Sequence, residues 1–154
     1  MRVVKFYGTF FLNLDTKGRI AIPATERAKL EDFCGSRVVV TADLGDRLLV
    51  YPEPFFDELA DRLNQLPSLK PTTEALQRTL LGYASHAKLD TQGRVLLTPA
   101  QRALAALEKE VVLIGIGNRY QLWRKDAWAE QQRRDRELAA AALAEEPELS
   151  DFRL

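Results

Sequence analysis

The sequence predicts an α+β domain with a pseudo-two-fold centre, in which two β-hairpin repeats build one barrel-like core with peripheral helices. Three observations carry that expectation. Asn13-Leu14-Asp15-Thr16-Lys17-Gly18-Arg19-Ile20 returns as Lys88-Leu89-Asp90-Thr91-Gln92-Gly93-Arg94-Val95, with Asp, Thr, Gly and Arg repeated at a constant offset of 75 residues. The echo extends outward: Glu26-Arg27-Ala28 answers Gln101-Arg102-Ala103, and Arg47-Leu48-Leu49-Val50-Tyr51 answers Arg119-Tyr120-Gln121-Leu122-Trp123. The chain of 154 residues suits one domain of ordinary size, so two copies, too few for a solenoid, are expected to share a core.

The elements follow in order. Phe6 to Leu14 is aromatic and aliphatic and reads as a strand. Asp15-Thr16-Lys17-Gly18 is a turn, because Asp accepts nearby backbone N–H groups and Gly adopts positive φ. Arg19 to Ile22 reads as the returning strand, which makes the motif the tip of a hairpin. Pro23 opens a short helix through Leu30. Arg37 to Thr41 and Arg47 to Tyr51 form a second hairpin around Asp43-Leu44-Gly45-Asp46. Pro54 starts a helix with Phe55, Phe56, Leu59, Leu63 and Leu66 at helical spacing, and after a Pro-bounded linker another helix ends near Leu81.

The second copy repeats the plan. Tyr83 to Leu89 and Arg94 to Leu97 flank the Asp90 turn, and Thr98-Pro99-Ala100-Gln101 is a capping box. Val111 to Ile114 and Tyr120 to Trp123 form the matching hairpin around Gly115-Ile116-Gly117-Asn118. A last helix runs from near Asp126 toward Glu146; its stretch Glu130 to Glu137 has no apolar residue, so it is expected to project. The division is residues 6–52 for the first repeat, 53–81 for connecting helices, 82–125 for the second repeat, 126–147 for the C-terminal helix and 148–154 for an acidic tail, all in one compact domain.

Composition excludes several classes. Cys34 is alone, so no intrachain disulfide forms, and with one histidine (His86) a Cys/His metal site is not expected. No metal, cofactor or small-molecule substrate is called for. Neither a signal peptide nor a stretch approaching the roughly 18 apolar residues of a membrane helix is present, so the protein is expected in the cytoplasm. Net charge is zero, but residues 1–30 carry six Lys/Arg against two Asp/Glu, and residues 78–102 four against one. Both motif copies thus sit in basic segments, and the local field governs polyanion binding.

Two copies of Leu-Asp-x-x-Gly-Arg, each followed by a Pro-initiated helix, with Leu49-Val50-Tyr51-Pro52-Glu53-Pro54 after one and Leu122-Trp123 plus Trp128 after the other, resemble the MraZ family. Leu80-Leu81-Gly82-Tyr83-Ala84 ahead of the second motif adds to the likeness, which covers about residues 6–130. The resemblance implies a swapped-hairpin, double-psi-like β-barrel built from two SpoVT/AbrB-like repeats. It also implies a bacterial transcriptional regulator that assembles into closed homo-oligomeric rings on the nucleoid. Such proteins bind tandem short repeats in the promoter DNA upstream of the division and cell wall gene cluster, which includes their own gene. The family's DNA-recognition element carries over to Asp15 with Arg19 and to Asp90 with Arg94. Family chains usually begin about where Lys5 stands, so Met1 to Val4 is an extension.

The chemistry agrees with that implication. A two-stranded tip enters the major groove, and the planar fork of Arg bonds guanine O6 and N7 together. Lys17 meets a phosphate as a point charge where its counterpart Gln92 is neutral, so the first copy is expected to bind more strongly. Asp15 and Asp90 hold the turn or fix the Arg by a charge-assisted bond. The plainer alternative is an ion pair across a tight turn, worth about 0–1 kcal/mol. Lys5, Arg27 and Arg102 flank the motifs as auxiliary phosphate contacts or, more simply, as solvated charges. Paired Asp-Thr-Gly loops of aspartic proteases share one proton between two carboxylates; here an Arg follows each motif and favours the doubly charged form, against catalysis. The rival from another class is an oligomeric protein-interaction or antidote-type module without a specific DNA target.

Overall fold

The computed structural model describes residues 4–154; the first three residues of the expected N-terminal extension lie outside the described residues. The chain divides into two compact units, one ending at Arg124 and one beginning at Lys125. The first unit contains β1 (Phe6–Asn13), β2 (Arg19–Ala21), α1 (Ala24–Cys34), β3 (Arg37–Ala42), β4 (Leu48–Pro52), α2 (Glu53–Asn64), α3 (Pro71–Leu80), β5 (Ser85–Lys88), β6 (Arg94–Leu96), α4 (Pro99–Leu104), β7 (Glu110–Gly117) and β8 (Tyr120–Arg124). Six strands form an antiparallel sheet in the order β1-β7-β8-β4-β3-β5, and β2 pairs with β6 in a separate ribbon. The fold is α+β, and the ladders of the described residues close no barrel.

The strands flanking each motif do not pair with one another, which corrects the expected hairpin tip. β1 pairs with β7 of the second half from Phe6↔Gly117 to Asn13↔Glu110, and β5 pairs with β3 of the first half from Val40↔Ser85 to Arg37↔Lys88. Length explains the exchange of β1. A strand of three residues such as β2 cannot satisfy the backbone groups of the eight-residue β1, whereas β7, also eight residues long, can. Each Asp turn therefore passes the chain from one sheet to the other.

The ribbon carries the pseudo-dyad. Ile20 pairs with Val95, its own counterpart in the repeat, with Arg19↔Leu96 on one side and Ala21↔Arg94 on the other. Beyond the ladder the bonds stay reciprocal: Ile22 N–H donates to the Gly93 carbonyl at 2.9 Å, and Leu97 N–H to the Gly18 carbonyl at 2.8 Å. Ile20 and Val95 are buried in a core shared with Phe6, Val38, Val40, Leu48, Val50, Val111, Leu113, Tyr120 and Leu122. Alternation sends Val39, Leu49 and Tyr51 to the opposite face of the large sheet, where Phe56 and Leu63 of α2 and Leu80 of α3 cover them.

Two buried polar residues occupy equivalent positions in α1 and α4. The Tyr120 hydroxyl donates to Glu26 Oε1 at 2.9 Å, and Gln101 Nε2 donates to the Val40 and Tyr83 carbonyls at 3.0 and 2.8 Å. Gln101 also completes the expected capping box with Thr98. The expected Gly115 to Asn118 turn shrinks to Asn118-Arg119, because pairing with β1 extends β7 to Gly117. Gly115 allows this approach: a Cβ there would lie 2.6 Å from the Phe6 carbonyl carbon. α1 likewise runs past Leu30 to Cys34, ending on Gly35 in the left-handed conformation.

The second unit holds α5 (Lys125–Glu145), a helix without a buried residue, and a single 3₁₀ turn at Pro147–Leu149.

Candidate nucleic-acid interface

The two motif turns are built by the same bonds. Asp15 Oδ1 accepts the N–H groups of Lys17 and Arg19, both at 2.9 Å, and Oδ2 accepts Arg19 Nε at 2.8 Å. Asp90 Oδ1 accepts Gln92 and Arg94 N–H at 2.9 Å each, and Oδ2 accepts Arg94 Nε at 2.7 Å. Backbone bonds close each loop: Asp15 N–H to the Arg19 carbonyl and Gly18 N–H to the Asp15 carbonyl, with Asp90, Arg94 and Gly93 repeating them. Gly18 and Gly93 sit at φ of +85° and +74°, which only glycine adopts without strain. The Arg19 and Arg94 backbone N–H groups, followed by the guanidinium bonds, hold both carboxyls below the ordinary 3.8 of Asp.

That geometry decides what each arginine has left to offer. Among the described residues only the Nε edge is engaged, by the Asp, and the two Nη groups have no protein partner. The Nη pair is the end of the fork that bonds guanine O6 and N7. Because Ile20 and Val95 face the core, Arg19, Ala21, Arg94 and Leu96 share the outer face of the ribbon. Arg19 and Arg94 are diagonal neighbours there, a relation that sets residues about 7–8 Å apart, with their Cβ atoms somewhat closer. Thus one two-stranded ribbon, with a strand from each half, presents both arginines; the expected pair of separate tips is replaced by a single composite surface.

A third Asp and Arg pair, at the same spacing, shows the plain structural version. Arg47 Nε donates to Asp43 Oδ2 at 2.7 Å, but here Gln121 Nε2 donates to the same oxygen and the Arg47 guanidinium lies over the Trp123 ring at 4.9 Å. This pair locks the β3–β4 turn to β8. It was not singled out from the sequence because no second copy marks it.

The remaining candidates divide. Lys17 and Gln92 are exposed on their turns. Lys5 is exposed but precedes β1, the full length of an eight-residue strand, roughly 25 Å, from the Asp15 turn, so it is not brought to the ribbon. Arg27 and Arg102 are half-buried and are not plain solvated charges: Arg27 Nη1 donates to the Gln92 carbonyl at 3.0 Å, and the Nε of both is buried without a partner. Leu96, 57% exposed opposite Arg19, is a ribbon residue that sequence reasoning missed; its signal is an apolar residue two positions beyond a motif Arg in a strand whose Val95 faces inward. Cys34 Sγ donates to the Leu30 carbonyl, and burial pushes its thiol up, away from the reactive thiolate. Among the described residues no cluster of His, Cys, Asp and Glu is arranged to hold a metal, and no helix is long and apolar enough to cross a membrane.

A family model described as "MraZ protein, putative antitoxin-like" matches the chain twice, over residues 6–79 and 80–148. Among curated proteins, the chain is 41% identical over 153 residues to a protein of Nitrosomonas europaea, covering 97% of this chain and 99% of that one. It is 46% identical over 144 residues to one of Halorhodospira halophila, covering 92% and 94%, and 43% identical over 147 residues to one of Chromobacterium violaceum, covering 96% and 98%. All three are named "Transcriptional regulator MraZ".

Proposed function

The chain belongs to the MraZ family, and from that premise we propose that it is a sequence-specific DNA-binding transcriptional regulator acting through the outer face of the β2/β6 ribbon. One observation carries the proposal: both guanidinium groups are pinned at Nε by an Asp of their own turn, which leaves both Nη pairs on one surface narrow enough for a major groove about 12 Å wide. Arg19 and Arg94 read bases, and Lys17 adds a phosphate contact that Gln92 does not. The Asp residues orient the arginines and repel DNA if left unpaired. No enzymatic step, cofactor or small-molecule substrate enters.

The finer reading is that the protein represses its own operon, the division and cell wall gene cluster, from the nucleoid in the cytoplasm. Its target is tandem short promoter repeats spaced near one helical turn, roughly 10 bp, so that successive ribbons meet one face of the duplex. The exchange of β1, β5 and the ribbon strands between halves supports viewing the core as two interleaved SpoVT/AbrB-like swapped-hairpin repeats. A closed ring of copies supplies multivalency, through which a chain of zero net charge reaches useful affinity. Edge strand β1 supports self-assembly: it carries no charge and exposes Tyr7 and Phe11 at 63% and 65%.

Footprinting of the purified protein on the DNA upstream of its gene tests the proposal, together with Arg19→Ala. The expected outcome is protection of short repeats and a loss of promoter affinity in the variant with oligomer size intact; unchanged affinity would sink the mechanism. Salt separates the antidote-type alternative, because phosphate contacts weaken steeply with ionic strength and an apolar protein interface does not.

A further inference from the structure

Arg27 and Arg102 occupy equivalent places in α1 and α4, and each lies against the turn of the opposite half. A Cβ on Gly18 would stand 2.9 Å from both Cζ and Nε of Arg102. A Cβ on Gly93 would run into Arg27 Cδ and stand 2.6 Å from its Nε. Arg27 also donates Nη1 to the Gln92 carbonyl at 3.0 Å, fixing the peptide that precedes Gly93. Both Nε atoms are buried without a hydrogen-bond partner, an arrangement that costs free energy and so needs a reason.

Solvation does not supply that reason, since an Arg that only needed water would not bury Nε. A direct phosphate contact also fits poorly, because the glycine turn stands over the Nε end of each side chain. What the arrangement provides is a floor under the turn. Glycine has the widest conformational freedom of any residue, and the turn must hold Arg19 or Arg94 in one orientation.

Resting on the DNA reading of the ribbon given above, we propose that Arg27 and Arg102 are positioning residues acting across the pseudo-dyad, Arg102 for Arg19 and Arg27 for Arg94. Each half therefore sets the recognition arginine of the other.

The test uses the full chain and a duplex covering the DNA upstream of its gene. Arg102→Ala is combined with Arg19→Ala and, separately, with Arg94→Ala. The expected result is non-additivity of at least about threefold in affinity with Arg19→Ala, and additivity within about twofold with Arg94→Ala. Arg102→Met keeps an apolar stem of similar reach and is expected to retain more affinity than Arg102→Lys, with the salt slope unchanged. Additivity with both arginines, rescue by Lys and not by Met, and a slope reduced by about 0.9 would make Arg102 a phosphate contact and overturn the proposal.

Amide chemical shifts of the free protein give a readout that needs no DNA. Arg102→Ala is expected to move the Lys17, Gly18 and Arg19 amides and to spare those of Gln92 to Arg94; movement confined to the second motif and α4 overturns the proposal. If Arg19→Ala leaves duplex affinity unchanged while the shifts still cross between halves, the DNA reading fails and the positioning of the turn stands.

Discussion

Asp15 accepts two backbone N–H groups and one guanidinium N–H, so its charge shapes the loop while the Arg19 Nη pair stays free for the base contact proposed above. Arg19→Lys removes the fork and keeps the charge. It is expected to lose about 1–3 kcal/mol of discrimination between the promoter repeat and a base-substituted duplex, read by fluorescence anisotropy. Lys17→Gln lowers the slope of log K against log salt by about 0.9, and Gln92→Lys raises it equally. Asp15 and Asp90 are held below 3.8, chiefly by backbone N–H groups, so they favour the folded turns fully above the ordinary Asp range. That contribution disappears as pH falls through the lowered values; carboxyl carbon NMR should show both residues titrating below 3.8. The two motif pairs were legible because Asp, Gly and Arg recur in register. The roles of Arg27 and Arg102 were not, because the glycine each one meets belongs to the other half and lies 66 and 84 positions away in the sequence.

Strands were legible as strands, and the hairpins β3–β4 and β7–β8 form as read, while the partners of β1, β2, β5 and β6 were not legible. The division of β3 and β4 into a face with Val38, Val40, Leu48 and Val50 and a face with Val39, Leu49 and Tyr51 was not legible, because both strands are apolar on both sides. The turn chemistry of Asp15 to Gly18 suits a hairpin and a crossing between sheets equally well, so sequence alone favoured the commoner one. The exchange depends on close approach at Gly115. Gly115→Ala is expected to push β1 off β7 and cost about 1–3 kcal/mol, measured by urea unfolding, because the obstructing atoms are backbone and cannot swing aside. Tyr120→Phe removes the bond to buried Glu26 across the two halves. It should cost about 1–3 kcal/mol, since Oε1 loses its donor in the core.

The large sheet is symmetric in its order, with β1 and β5 as equivalent edges, but the edges differ in character. β5 is four residues long with His86 and Lys88 exposed, whereas β1 is eight residues long and uncharged, with Tyr7 and Phe11 exposed. Charge on an edge blocks pairing and its absence invites it. If β1 carries the proposed self-assembly, Phe11→Glu yields smaller species than the unaltered chain in sedimentation velocity while circular dichroism stays unchanged, and weakens binding to repeated sites more than to a single site. The ribbon has a consequence of its own. A symmetric dimer of identical strands reads a palindrome, because its operator mirrors its axis. Here the axis between Ile20 and Val95 relates unlike neighbours, Lys17 to Gln92 and Ala21 to Leu96. The two copies differ at these ends, so the ribbon has a head and a tail. Under the DNA reading, its sites are polar words that all point the same way along the promoter.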